Sequence, residues 1–163
     1  MKAVMTTCAI CFLGALISLP VLAVEVTFRP VVEGVYAYIG ETDGRTYENE
    51  GLNANIGLVV TPEGAVLIDS GATFQSAHKI QEAVKKVTSQ PVRWVINSGG
   101  QDHRWLGNGY FRAQGAEIMA HATAESDMKA RAGGHLEALK VLKERLDGTI
   151  PTLPNRFVQG NDT

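Results

Sequence analysis

Apolar residues in this chain come in short runs set between turn residues, and their spacing changes from run to run. Val35-Tyr36-Ala37-Tyr38-Ile39, between Gly34 and Gly40, predicts a strand. Residues 54–61 and 64–69 flank Pro62-Glu63-Gly64, the pattern of strand, tight turn and strand that makes a β-hairpin. Over 73–87 the rhythm becomes helical: Phe74, Ala77, Ile80, Val84 and Val87 fall on one face, with Lys85-Lys86 at the end that favours cations. Residues 92–96 return to a buried strand, apolar except for Arg93. Residues 107–113 predict a short helix with Tyr110 and Phe111 inward, and 116–120 another strand. Residues 122–146 predict a helix interrupted at Gly133-Gly134, with Leu136, Leu139, Leu142 and Leu146 as its apolar stripe. Residues 24–32, with Pro30, read as an entry segment, and 149–163 as the lead into another hairpin. Residues 41–53 are polar, with Asp43-Gly44 as a turn, and read as a flap or a mobile surface loop. The order implies an α/β domain, a mixed sheet covered by helices.

The first residues do not fit this pattern. After Lys2 the chain is uncharged to Leu22, and Val21-Leu22-Ala23 has the short side chains of a cleavage site, so 1–23 reads as a secretory signal peptide. The apolar run is also near the length of a membrane anchor; Pro20 and the Val21/Ala23 pattern favour cleavage. The expected domain is then 24–163, in a periplasmic or secreted setting, with membrane contact only through the signal. Cys8 and Cys11 both lie in the signal, which excludes a disulfide scaffold, a cysteine nucleophile and a cysteine zinc site from the domain. The formal charge of −2 and the absence of a basic cluster argue against nucleic acid.

The candidate chemistry sits after the strand at 92–96. The chain breaks there at Asn97-Ser98-Gly99-Gly100 into a loop carrying Gln101, Asp102, His103 and Arg104. Polar groups on a loop held by a buried strand are where layered α/β folds place their sites. The two glycines would let a ligand approach the backbone closely. His103 beside Asp102 has the chemistry of a zinc ligand next to a second ligand or a water-orienting carboxylate, and Gln101 offers a weaker oxygen. The same residues also read as a hydrogen-bonded loop that braces the fold. Arg104 can pair with Asp69, at the end of 64–69, or with Asp102. His121 stands at a strand end, as a ligand or a helix-entry residue. His78 and His135 lie in helices and read as surface or core-edge residues. Ser70 and Ser98 lack the context of a hydrolase nucleophile.

Four segments in series carry a resemblance: Gly57-Leu58-Val59-Val60-Thr61, Gly64-Ala65-Val66-Leu67-Ile68-Asp69-Ser70-Gly71, Trp94-Val95-Ile96-Asn97-Ser98 and Gly107-Asn108-Gly109-Tyr110-Phe111. Together they resemble the N-terminal half of the metallo-β-lactamase superfamily, and GGQDHRWLGN is similar to its periplasmic quinoprotein-relay zinc metallohydrolases. The resemblance implies an αββα sandwich, here incomplete and truncated on its C-terminal side. It implies zinc, with His103, Asp102 and Gln101 as ligands and Asp102 also as the catalytic group, in a hydrolase acting on a small-molecule ester, thioester, amide or lactam. The family loop reads His-x-His-x-Asp-His. Without a gap, Gly99 and Gln101 fall at its first two histidines, His103 at its aspartate and Arg104 at its last histidine; a one-residue slip aligns Asp102-His103 with its Asp-His pair, and either way both leading histidines are absent. The site is therefore expected to be incomplete, and the chain a partial or degenerate hydrolase. The alternative is a non-catalytic secreted binding module, or an inactive fragment, that has lost its metal. Half a sandwich would also leave one apolar sheet face uncovered, which predicts self-association.

Overall fold

A computed structural model describes residues 24–160 of the chain; the signal peptide expected over 1–23 lies outside them. The elements are β1 (Arg29–Val32), β2 (Val35–Tyr38), β3 (Ile56–Thr61), β4 (Gly64–Ile68), α1 (Phe74–Val87), β5 (Val92–Asn97), α2 (Asp102–Trp105), α3 (Asn108–Ala113), β6 (Glu117–His121), α4 (Thr123–Ala138) and β7 (Arg156–Val158). A 3₁₀ segment, Leu139–Leu146, continues α4. The seven strands form one mixed sheet in sequence order, β1 to β7. The first four are antiparallel neighbours, and β4, β5, β6 and β7 run parallel.

Period-two alternation decides which face of the sheet is covered. Leu58, Leu67, Val95 and Ile118 stand in register on successive strands, and all four are fully buried. Beneath this row pack Ala77, Ile80 and Val84 of α1 and Tyr110 and Phe111 of α3. A second cluster, on the same face, joins Ala120, Trp105, Met128, Leu139 and Leu142. Helix α1 starts where it does because Thr73 and Ser76 form a reciprocal capping box, each side chain accepting the other's backbone N–H at 2.9 Å.

The opposite face carries Val59, Val66, Ile68, Trp94, Ile96 and Met119, each partly in water, with Ile96 36% exposed. Among the described residues the sheet thus has helices on one side only. No helix of the described residues is long and apolar enough to cross a membrane.

Four expectations need correction. The entry segment contains β1, which pairs with β2 despite Pro30 because it is an edge strand. The tail at 156–158 adds a parallel strand to β6 and not a hairpin. Residues 102–105 form one helical turn, α2, so the site loop is partly helical. Gly133-Gly134 does not interrupt α4. Both glycines face open space, while buried Met128, His135 and Leu139 hold the helix down on either side. The break comes later, at Lys143, whose φ is 53°.

Leu67→Ala should lower stability by about 2–5 kcal/mol, the usual cost of a cavity at a fully buried leucine, read as a shift in the urea midpoint without a change in slope.

Candidate functional site

Because β4, β5 and β6 are parallel, their C-terminal ends share one edge of the sheet, where ligands bind in open α/β folds. Three connections meet there: Asp69-Ser70-Gly71, the segment 98–107, and the entry to α4. A buried amide pair fixes the middle one. Asn97, the last residue of β5, donates to Asn108 Oδ1 at 3.0 Å, and Asn108, the first of α3, donates back to Asn97 Oδ1 at 2.8 Å. The remaining amide hydrogens go to the Arg104 and Thr152 carbonyls, at 2.7 and 3.0 Å. Ser70 Oγ adds a bond to Asn108 Oδ1 at 2.9 Å. Gly107 makes this closure sterically feasible, since a Cβ there would lie 2.1 Å from the Ser70 carbonyl oxygen.

Asp69 braces the start of the loop. Its Oδ1 accepts the Ser98 N–H and its Oδ2 the Ser98 hydroxyl, both at 2.7 Å. Arg104 Nη1 donates to the same hydroxyl at 2.6 Å, so Arg104 reaches Asp69 through Ser98 and does not pair with Asp102. Burial pushes the Asp69 carboxyl above its ordinary range, with the Ser98 hydrogen bonds and Arg104 opposing it. Asp69 also has φ 67°, a left-handed conformation uncommon outside glycine.

Asp102 and His103 are brought together, 3.2 Å apart between His103 Nδ1 and Asp102 Oδ1. That nitrogen is buried and its geometry does not make it a hydrogen bond, so the contact is electrostatic. The same Oδ1 accepts the His103 backbone N–H at 2.8 Å and the Arg45 guanidinium. Burial alone would raise the Asp102 carboxyl; His103 and Arg45 outweigh it and hold the group well below the usual carboxylate range. Gln101 is not gathered with them: it is exposed, and its Oε1 lies over the α-carbon of Gly99.

Helix α4 closes the back of the loop. A Cβ on Gly100 would meet Asp127 Oδ2 at 2.1 Å, so that bare α-carbon accommodates a neighbouring side chain and not the expected ligand. Trp105, fully buried, donates from its indole to the Gly100 carbonyl at 3.1 Å and meets the His135 ring edge-on at 6.4 Å. His135 is itself buried, with neither ring nitrogen partnered, which rules out the surface alternative of its surface-or-core-edge reading. His121 ends β6, exposed, with Nδ1 on the Thr123 hydroxyl at 2.8 Å. His78 is exposed on α1 beside Glu82 and Tyr110.

Residues 41–53 form an anchored flap. Tyr47 bonds Glu144 and stacks on Arg145 at 3.9 Å, and buried Glu50 takes Lys79 at 2.5 Å and Arg145 at 3.1 Å. Between flap and loop lies a polar cleft of about 460 Å³ lined by Glu41, Thr42, Asn53, Asp69, His103 and Arg104 among others. Asn53 Oδ1 and Arg104 Nε are buried and have no hydrogen-bond partner.

No family model and no curated protein matches the chain. Solved structures do. The metallo-β-lactamase FIM-1 of Pseudomonas aeruginosa, in its mono-zinc form, is 22% identical, with a TM-score of 0.56 over 68% of this chain and 48% of that one. The chain has the metallo-β-lactamase fold. A metallo-β-lactamase of Erythrobacter litoralis is 20% identical, with a TM-score of 0.56 over 66% of this chain and 46% of that one. The DIM-1 metallo-β-lactamase is 11% identical, with a TM-score of 0.61 over 87% and 55%. The chain spans about half the length of these metallo-β-lactamases.

Zinc is the metal to test against this fold. A catalytic zinc takes three protein ligands and a water. Among the described residues no three His, Cys, Asp or Glu side chains form a metal-binding group. Asp102 and His103 supply at most two donors, and Asp102 is already neutralised by Arg45. The described residues do not fit a catalytic zinc. Arg45 is the residue at this site that sequence reasoning missed. Its only signal was the need of a buried Asp102 for a cation, and it lies 57 positions away in an unpatterned polar segment.

Asn108→Ala strands the buried Asn97 amide and should cost about 1–3 kcal/mol or more in chemical denaturation, more than an exposed Asn→Ala control. His135 supplies a pH dependence. Burial lowers its pKa below 6.5, with Asp102 and Asp127 pulling it up and Arg131 and Arg45 pushing it down. The unfolded chain then binds a proton that the fold resists. This share of stability is present above pH 6.5 and is lost as pH falls through the depressed value. The difference between wild type and His135→Leu in unfolding free energy should therefore change with pH below 6.5 and stay level above it.

Proposed function

We propose that this chain is a metallo-β-lactamase-fold binding module, working in the periplasm or outside the cell, whose strand-end cleft takes a small polar molecule without a metal. One observation carries the reading: Asp102, the loop carboxylate with metal-donor chemistry, is engaged by His103 and by Arg45, and no third donor of that kind joins Asp102 and His103 among the described residues. The cleft beside them supports it, because its lining of Glu41, Thr42, Asn53, Asp69, His103 and Arg104 favours a ligand with hydrogen-bonding groups of its own. The apolar segment at 1–23 supports the compartment.

The second reading is a metal-dependent hydrolase, favoured by the likeness to a mono-zinc metallo-β-lactamase. It needs ligands beyond those gathered here. Metal analysis of the purified protein separates the two. The binding-module reading expects zinc well below one per chain, unchanged in His103→Ala. One zinc per chain, lost in His103→Ala, would overturn it in favour of the hydrolase.

A further inference from the structure

Asp102 is 1% exposed, and a carboxylate so placed needs a positive charge beside it. Two donors converge on its Oδ1, the His103 backbone N–H and the Arg45 guanidinium, and the His103 ring lies beside it at 3.2 Å. Of these only Arg45 brings a permanent full charge. Arg45 does not arrive as a free surface side chain. It sits in a flap fastened on its far side by Tyr47 to Glu144 and Arg145, and by Glu50 to Lys79 and Arg145. Asn49 ties the flap internally, accepting the Thr46 and Gly51 N–H groups at 2.9 and 3.0 Å. The guanidinium is thus held over the carboxylate, where a loop of this chemistry would otherwise draw a cation.

We propose that Arg45 stands in for a metal: its guanidinium takes the place of positive charge at Asp102 that a divalent cation would occupy, so the flap itself locks the strand-end site in a metal-free state. Removing the guanidinium leaves a buried carboxylate beside an imidazole, a weak divalent-cation site that the native chain suppresses. The inference rests on the metal-free reading above and goes beyond it by naming the residue that enforces it.

The test titrates zinc chloride into the full chain as wild type, as Arg45→Met, which keeps most of the stem, and as Arg45→Met with Asp102→Asn, which removes both charges. Calorimetry reads affinity, and thermal unfolding is followed with and without zinc. Arg45→Met should bind zinc at least about tenfold more tightly than wild type, with a Tm that is lowered without zinc and raised by it. The double variant should regain much of the wild-type Tm and lose the response to zinc. Equal zinc affinity in Arg45→Met and wild type would overturn the proposal. If Arg45→Met is too unstable to titrate, the double variant decides, since one no more stable than the single variant would overturn it as well. One zinc in the wild-type chain, lost in His103→Ala, would overturn the metal-free reading and this proposal together; an unresponsive Arg45→Met would overturn this proposal alone.

Discussion

Two facing side-chain amides, Asn97 and Asn108, hold the site together. One ends a strand and the other begins a helix, and their reciprocal bonds close the segment between them into a ring. Every amide hydrogen of the pair is used, on each other and on the Arg104 and Thr152 carbonyls. A buried polar network of this kind is favourable only when complete, because a stranded donor in a low-dielectric interior costs more than a neutral bond gains. The pair therefore fixes both ends of the segment that carries Asp102 and His103.

The two carboxylates of the edge have different environments and different roles. Asp69 is held by hydroxyl and amide groups of Ser98, with Arg104 reaching it only through that hydroxyl, and burial keeps its affinity for a proton high. Asp102 has a guanidinium and an imidazole directly beside it and stays ionised. The first acts as a brace for the loop. The second is a charge that must be matched, and the flap matches it.

How much of this could be read along the chain depended on the range of each interaction. The β3–β4 hairpin, α1, β5 and the inward Tyr110 and Phe111 were legible because apolar period and turn chemistry are local signals. The sheet's two apolar faces were legible because Leu58, Leu67 and Val95 alternate with Val59, Val66 and Ile96. Gly133-Gly134 misled, because glycine propensity in a helix is weak against the burial of Met128, His135 and Leu139 around it. Arg45 was invisible because nothing next to it in sequence marks its partner. The pairing of Asp102 with His103 was read correctly as a contact, whereas its electrostatic balance needed coordinates.

Strand order has a further consequence. Each strand of this sheet lies beside the strand made just before it, from β1 to β7. A chain emerging from the ribosome could add each strand to the edge left by the one before it, in the order of synthesis. The flap is the exception, since its fasteners Asp102 and Glu144 come 57 and 97 residues after Arg45 and Tyr47. It must therefore wait for distant partners before it can seat, which makes the closing of the cleft a late event in the birth of the molecule.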